Sequence, residues 1–179
     1  MGNEMENNNI VAWNNSYSVG INLIDDQHRE LIKLTNKLYH SCMLSRDNSR
    51  AVFMQTIRGA VDYIGYHFST EEKVMERVGY PDFLVHRVEH ADFVKTVLRE
   101  VDDFQSGKKY VPQNFVYFLR DWVLTHIAVS DKKMGTYLVN LKKQGSLQNM
   151  TLKVKKVTKV EEDPEHAGQF TSSKRYIIG

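Results

Sequence analysis

The sequence predicts an all-α protein: an up-down-up-down four-helix bundle with an N-terminal arm and a C-terminal tail. Three observations carry this reading. Between residues 23 and 142, apolar residues recur every three or four positions in four stretches, the pattern of helices with one buried face. Short runs of Gly, Pro, Asp and Ser separate the stretches, and short loops between amphipathic helices give an antiparallel bundle. Each stretch also carries histidines or carboxylates on its apolar stripe, where a buried polar group needs a partner.

Residues 1–22 form the arm. Asn7-Asn8-Asn9 favours turns over helix, so the first ten residues are expected to be disordered. Trp13 and Tyr17, in a segment ending at Gly20, are too apolar to leave in solvent and are expected to lie across the bundle as core cover. The first helix is expected from about Leu23 to Leu44, with Asn22 as N-cap and Leu23, Ile24, Gln27, His28, Leu31, Leu34 and Leu38 on one face. Arg46-Asp47-Asn48-Ser49 reads as a loop whose end caps the second helix. That helix shows Val52, Phe53, Ile57, Ala60, Ile64, His67, Phe68, Glu71 and Met75 inward, and stops at Gly79-Tyr80-Pro81. Asp82 is expected to cap the third helix, with Val85, His86, Val88, His90, Phe93, Val94, Val97, Leu98 and Val101 on its apolar side as far as about Gln105. After Ser106-Gly107-Lys108-Lys109, the fourth helix starts near Pro112, carries Phe115, Phe118, Leu119, Trp122, Val123, His126 and Ile127, and fades by Leu141.

Residues 143–179 differ in composition. Thr151 to Val160 alternates β-branched residues with lysine until Lys155-Lys156 breaks the phase, and Phe170 to Ile178 could be a second strand, which makes a short hairpin one reading, although an isolated two-stranded hairpin is marginal in water. From Lys142 onward there are eight Lys and Arg against four Asp and Glu. This basic tail reads as a solvated end, with contact to a protein partner as the second reading.

A chain of 179 residues with net charge +2 gives no reason to expect nucleic-acid binding. One cysteine, Cys42, excludes an intrachain disulfide framework and a CxxC metal site. No apolar run approaches the length of a membrane span, and the first residues lack the features of a signal peptide, so a cytoplasmic location without membrane contact is expected.

Five of the seven histidines fall in four motifs: Asp25-Asp26-Gln27-His28, His67-x-x-x-Glu71, His86-x-x-x-His90 and His126-x-x-x-x-Asp131. Each motif lies in its own helix. Residues four apart share a helical face, so His86 and His90 can reach one metal, and His67 and Glu71 likewise. Imidazole with carboxylate suits iron, copper, nickel or zinc. Two irons sharing two bridging carboxylates would use the set completely and leave one position open for dioxygen. His126 and Asp131 do not fit an ideal helix. Five residues turn through about 500°, which leaves them about 140° apart. A local π-type widening would bring them together. Asp25, Gln27 and Glu89 are candidates for orienting the imidazoles. Glu72 follows Glu71 and is expected to point away from any metal. Cys42 reads as a small buried residue near a helix end.

Over about residues 11–138 the chain resembles the hemerythrin family in its bacterial single-domain form. The resemblance rests on Trp13, Gly20-Ile21, Ile24-Asp25-Asp26-Gln27-His28, His67-Phe68-x-x-Glu71-Glu72, Met75, Tyr80-Pro81, His86-x-x-x-His90, Trp122 and His126-Ile127-x-x-x-Asp131. It implies a non-haem pair of iron ions, Fe2+ or Fe3+, bridged by Glu71, Asp131 and an oxo or hydroxo group. His86, His90 and His126 would hold one iron, and His28 and His67 the other, which keeps the open position. Leu31, Trp122, Val123 and Ile127 would form the wall of the dioxygen pocket. The implied function is reversible dioxygen binding, for storage, delivery or sensing, and not enzymatic turnover. The alternatives are oxidase, peroxidase or nitric oxide chemistry at the same pair, or an oxygen sensor that signals through a partner. Five histidines make the site poorer in carboxylate than the Glu-x-x-His di-iron enzymes, which favours binding over oxygen activation.

Overall fold

A computed structural model describes residues 9–42, 46–108 and 112–145. The chain is all-α. A 3-10 turn (Asn15–Tyr17) leads into α1 (Asn22–Cys42), followed by α2 (Arg46–Val78), α3 (Phe83–Gln105) and α4 (Pro112–His126). A π-helical turn (Ile127–Asp131) joins α4 to α5 (Lys132–Lys143), which continues the fourth rod of the bundle. Helix α1 lies against α2 and α4, and α2 against α3. The hairpin considered for the tail falls within residues 146–179 and lies outside the described residues, as do residues 1–8, 43–45 and 109–111.

The helix ends follow their local chemistry. At Gly79 (φ 63°) the Tyr80 N–H donates to the Met75 carbonyl and the Gly79 N–H to that of Glu76, the paired bonds of a Schellman cap. Gly107 (φ 73°) closes α3 the same way through Asp103 and Phe104. Three expectations need correction. Arg46–Ser49 is the first turn of α2, not a loop, because no Gly or Pro stands there to break it. Asp82 occupies the N-cap of α3, but its carboxylate pairs with Lys133 Nζ at 2.6 Å instead of capping. Val85 and Val88 are exposed rather than on the apolar side. The inner stripe of α3 is His86, His90, Phe93, Val97 and Val101, and at about 100° per residue Val85 and Val88 fall well outside it.

The arm is ordered from Asn9. The Asn9 side-chain carbonyl meets His40 Nε2 at 3.0 Å, and Ile10 packs against the core, so the disorder expected of residues 9 and 10 is not found. Val11 forms a two-way bond with the Asn36 amide, receiving its N–H at 2.8 Å and donating to its oxygen at 3.2 Å. Asp25 is a fastener for the arm, not an orienter of imidazoles. Its carboxylate accepts from the Ser18 hydroxyl (2.6 Å) and the Val19 N–H (2.7 Å). The Arg29 guanidinium sits 4.4 Å from the Trp13 ring. Val19 passes so close to α5 that a Cβ on Gly135 would lie 2.3 Å from its carbonyl oxygen. Gly135→Ala is therefore expected to displace the arm and destabilise the protein by about 1–3 kcal/mol. Thermal melting checks this, and an unchanged melting temperature would show that the arm does not press on α5.

The apolar interior has two layers. One contains Leu31, Phe68 and Ile127, with Phe53, Ile57, Phe93, Val97, Phe115 and Leu119. The other contains Ile24, Met75 and Met134, with Val19, Val74, Tyr80 and Leu138. Between them, along the same helical stripes, lie His28, Glu71 and Asp131, each with 0% exposure. The polar cluster is thus enclosed between two apolar layers.

Candidate metal centre

All seven candidate ligands in the four motifs converge. His28, His67, Glu71, His86, His90, His126 and Asp131 are buried. They form two overlapping groups that can hold metal ions, one of His86, His90, His126, Glu71 and Asp131, the other of His28, His67, Glu71 and Asp131. Within each group the ligand atoms lie within 4.8 Å of one another. Glu71 and Asp131 belong to both.

The fourth rod delivers its two residues through the π turn. The Lys132 N–H reaches back to the Ile127 carbonyl, a five-residue span. One turn then takes five residues, so His126 and Asp131 face the same way. Asp131 Oδ1 lies 3.1 Å from His126 Nε2. The offset that an ideal helix could not absorb is absorbed here.

The three nitrogens His86 Nε2, His90 Nε2 and His126 Nε2 form a nearly equilateral triangle with sides of 3.1, 3.0 and 3.1 Å. Outer partners fix the imidazoles. His90 Nδ1 lies 3.0 Å from Glu72 Oε1, His126 Nδ1 3.0 Å from Glu89 Oε2, and His67 Nδ1 3.0 Å from Gln27 Oε1. These oxygens accept, so each Nδ1 carries the proton and each Nε2 lone pair faces inward. Inward lone pairs at 3.0 Å repel unless a cation lies among them. Glu72 therefore does not point away as expected. It is no member of either group, but it holds a residue that is. Its signal was present in the sequence only as a carboxylate one position from Glu71, and the neighbour it reaches is on another helix. Gln27 and Glu89 do orient imidazoles, as expected.

A second observation tests whether metals fit. Seven buried side-chain polar atoms lack a hydrogen-bond partner among the described residues, and six of them belong to the cluster: both nitrogens of His28 and all four oxygens of Glu71 and Asp131. His28 Nε2 and Asp131 Oδ2 approach to 3.1 Å without the alignment of a hydrogen bond. Orphaned buried carboxylates are costly, and metal coordination satisfies them. The donor set fits a metal pair.

Protonation without metal shows the same demand for positive charge. Burial pulls the His28 and His86 imidazoles down, yet the Asp131 and Glu71 carboxylates outweigh it and raise both to about 9. Burial opposes the charged form of His90 too, and Glu71 and Glu72 raise it. At His67 burial wins over Glu71, with the charge of His28 adding to it, and holds the ring near 4. Burial would raise Glu71, but His67 and the neighbouring imidazoles of His28, His86 and His90 hold it well below the usual carboxylate range. Asp131 is held low against burial and Glu71 by His126, His28 and His86.

Of the expected pocket wall, Leu31 and Val123 line a narrow apolar cavity with Leu34, Thr35, Leu38, Ala60, Ile64 and Leu119. Ile127 is buried beside the cluster residues His126 and Asp131 in sequence. Trp122 does not line that cavity; its ring stacks on His126 (4.4 Å, 14°) and on Phe93 (3.8 Å, 17°). Cys42 lies half-buried with its thiol against the Leu38 carbonyl, and burial pushes it up to about 11, so it stays protonated and unreactive at neutral pH. No helix among the described residues is long and apolar enough to cross a membrane.

Comparisons with known proteins agree with this geometry. Residues 19–138 match the family profile described as Hemerythrin HHE cation binding domain. Bacteriohemerythrin of Methylococcus capsulatus is 29% identical over 130 residues, covering 72% of this chain and 97% of that protein. Bacteriohemerythrin of Stenotrophomonas maltophilia is 32% identical over 123 residues, covering 69% of this chain and 78% of that protein. A crystal structure of wild-type hemerythrin superposes with a TM-score of 0.66 at 29% identity, covering 71% of this chain and 96% of that one. The matched stretch contains every residue of the buried cluster, and the chain belongs to the hemerythrin family.

Proposed function

We propose that the cluster holds two iron ions, linked by Glu71, Asp131 and an oxo or hydroxo group, and that the protein binds dioxygen reversibly for storage, delivery or sensing. The observation that carries this is the pair of overlapping donor groups sharing two fully buried, unpartnered carboxylates. The triangle fits a six-coordinate ion, of which iron is one that imidazole and carboxylate suit, better than tetrahedral zinc. Around a six-coordinate ion, imidazole nitrogens at about 2.1–2.2 Å are spaced about 3.0 Å apart, whereas tetrahedral zinc at about 2.0–2.1 Å spreads them to about 3.3–3.4 Å. The three sides of 3.0–3.1 Å match the first arrangement.

Donor counting supports an open position. His86, His90, His126, Glu71 and Asp131 give one ion five donors, and His28, His67, Glu71 and Asp131 give the other four. A shared oxo or hydroxo group would raise these to six and five, so the two-histidine side would keep one position for an outside ligand. A reduced iron pair held there would supply the two electrons that dioxygen takes on binding and returns on release. The chain itself contributes restraint. Leu31, Val123 and Ile127 limit the access of water and protons, which slows irreversible loss of bound oxygen. The carboxylates nearest the cluster, Glu72 and Glu89, are turned onto imidazoles and are not aimed at the interior as acids. That arrangement favours a binding protein over an enzyme.

Alternating argon and air over the reduced, iron-loaded protein tests this reading. The spectrum is expected to cycle, with one dioxygen taken up and recovered per chain and no hydrogen peroxide accumulating. Oxidation after a single exposure without recoverable dioxygen, or steady consumption in the presence of a reductant, would assign the site to enzymatic chemistry.

A further inference from the structure

The outer partners of the imidazoles are not distributed evenly. On the three-histidine side, His90 rests on the Glu72 carboxylate and His126 on that of Glu89, each at 3.0 Å. Glu89 is held in turn by the Ser130 hydroxyl at 2.6 Å. On the two-histidine side, His67 rests on a neutral amide, Gln27, whose NH2 donates to the Thr70 hydroxyl at 3.3 Å. His28 Nδ1 has no hydrogen-bond partner among the described residues. Both anions therefore serve one half of the cluster and none serves the other.

We propose that Glu72 and Glu89 are positioning residues that make the three-histidine half the more electron-rich, so that the ion there is the easier of the two to oxidise. This rests on the reading that the cluster holds a metal pair. A carboxylate accepting from Nδ1–H draws the imidazole toward imidazolate and strengthens Nε2 as a donor. A stronger donor favours the more highly charged ion. An amide fixes the ring in the same way without adding charge. The cluster therefore has built-in polarity: an electron-rich half closed by three histidines, and a less basic half that retains the open position. Solvent screening orders the two carboxylates. The Glu72 side chain is 26% exposed and that of Glu89 41%, so Glu72 has the larger effect.

The test is a spectroelectrochemical titration of the full-length, iron-loaded protein and three variants, with iron content measured alongside. Glu72→Gln and Glu89→Gln keep side-chain shape and remove charge. Gln27→Glu adds charge to the other half. Both Glu→Gln changes are expected to raise the midpoint potential, Glu72→Gln by up to about a tenfold change in the oxidised-to-reduced binding ratio, about 59 mV for a one-electron couple. Gln27→Glu is expected to lower it. A role in packing alone would move iron content or melting temperature without this reversal of sign. Unmoved potentials in both Glu→Gln variants overturn the inference, as does a raised potential in Gln27→Glu. If a Glu→Gln variant loses its iron, the sign of the Gln27→Glu shift decides. A wild-type chain that takes up no iron pair overturns the underlying reading, whereas a wild-type pair with unmoved variant potentials overturns this inference alone.

Discussion

Glu71→Ala is expected to lose at least one of the two metals and to lower stability by about 3–5 kcal/mol. Glu71 has 0% exposure, and its oxygens lie 3.7, 3.8, 3.5 and 3.4 Å from nitrogens of His28, His67, His86 and His90. It also belongs to both donor groups. Removing it takes one ligand from each metal and leaves imidazoles raised to about 9, at His28 and His86, without one of their two counter-charges. Iron analysis and thermal melting measure the result. Glu72→Ala is the comparison. It removes only an outer partner of His90, so both metals should still bind at saturating iron, with affinity lower by about 10–100-fold. Equal losses from the two substitutions would mean that Glu71 does not bridge.

Metal removal has the second large effect, and its pH dependence has a defined sign. Metals and protons compete for the same nitrogens. His28 and His86, at about 9 without metal, carry protons at neutral pH, so refilling the site releases at least two protons and the affinity rises with pH until about 9. The metal-free fold follows different signs. The raised values of His28 and His86 give stability that is fully present below the unfolded value of 6.5 and lost as pH rises through about 9. His67, depressed to about 4, acts in the other direction: stability falls as pH drops from 6.5 toward 4. The depressed carboxylates of Glu71 and Asp131 add to that acid loss. Metal-free protein should therefore be most stable near pH 6.5 and less so on either side, while metal affinity keeps rising toward alkaline pH. Calorimetric metal titrations in buffers of different ionisation enthalpy count the released protons, and melting curves of chelated protein trace the stability. Uptake without proton release would contradict the protonation pattern.

Much of this was legible in the sequence because helical periodicity is a local rule. His28, His67, Glu71, His86, His90 and His126 sit on the same stripe as the apolar residues around them, so the inward direction of each followed from its own helix. Asp131 was legible by its misfit, since the five-residue gap from His126 makes sense only with the π turn that the structure contains. Most of the errors came from partners that lie outside the helix being read. Asp82 looked like a helix cap, but Lys133 at the start of α5 holds it. Glu72 looked directed outward from α2, but α3 brings His90 to it. Asp25 looked like an orienter of imidazoles, but the arm folds back and donates to it twice. Val85 and Val88 were assigned inward by their apolar character, and their angle around α3 leaves them exposed.

The most direct measurement is iron analysis of the purified full-length protein, with ultraviolet–visible spectra taken oxidised, after anaerobic reduction, and after exposure to air. The expected result is two irons per chain, oxo-to-iron charge-transfer bands in the oxidised protein, their loss on reduction, and new bands in air that argon removes. One zinc per chain, or iron that gives no such bands in any of the three states, would contradict the assignment of a di-iron oxygen-binding centre to the buried cluster.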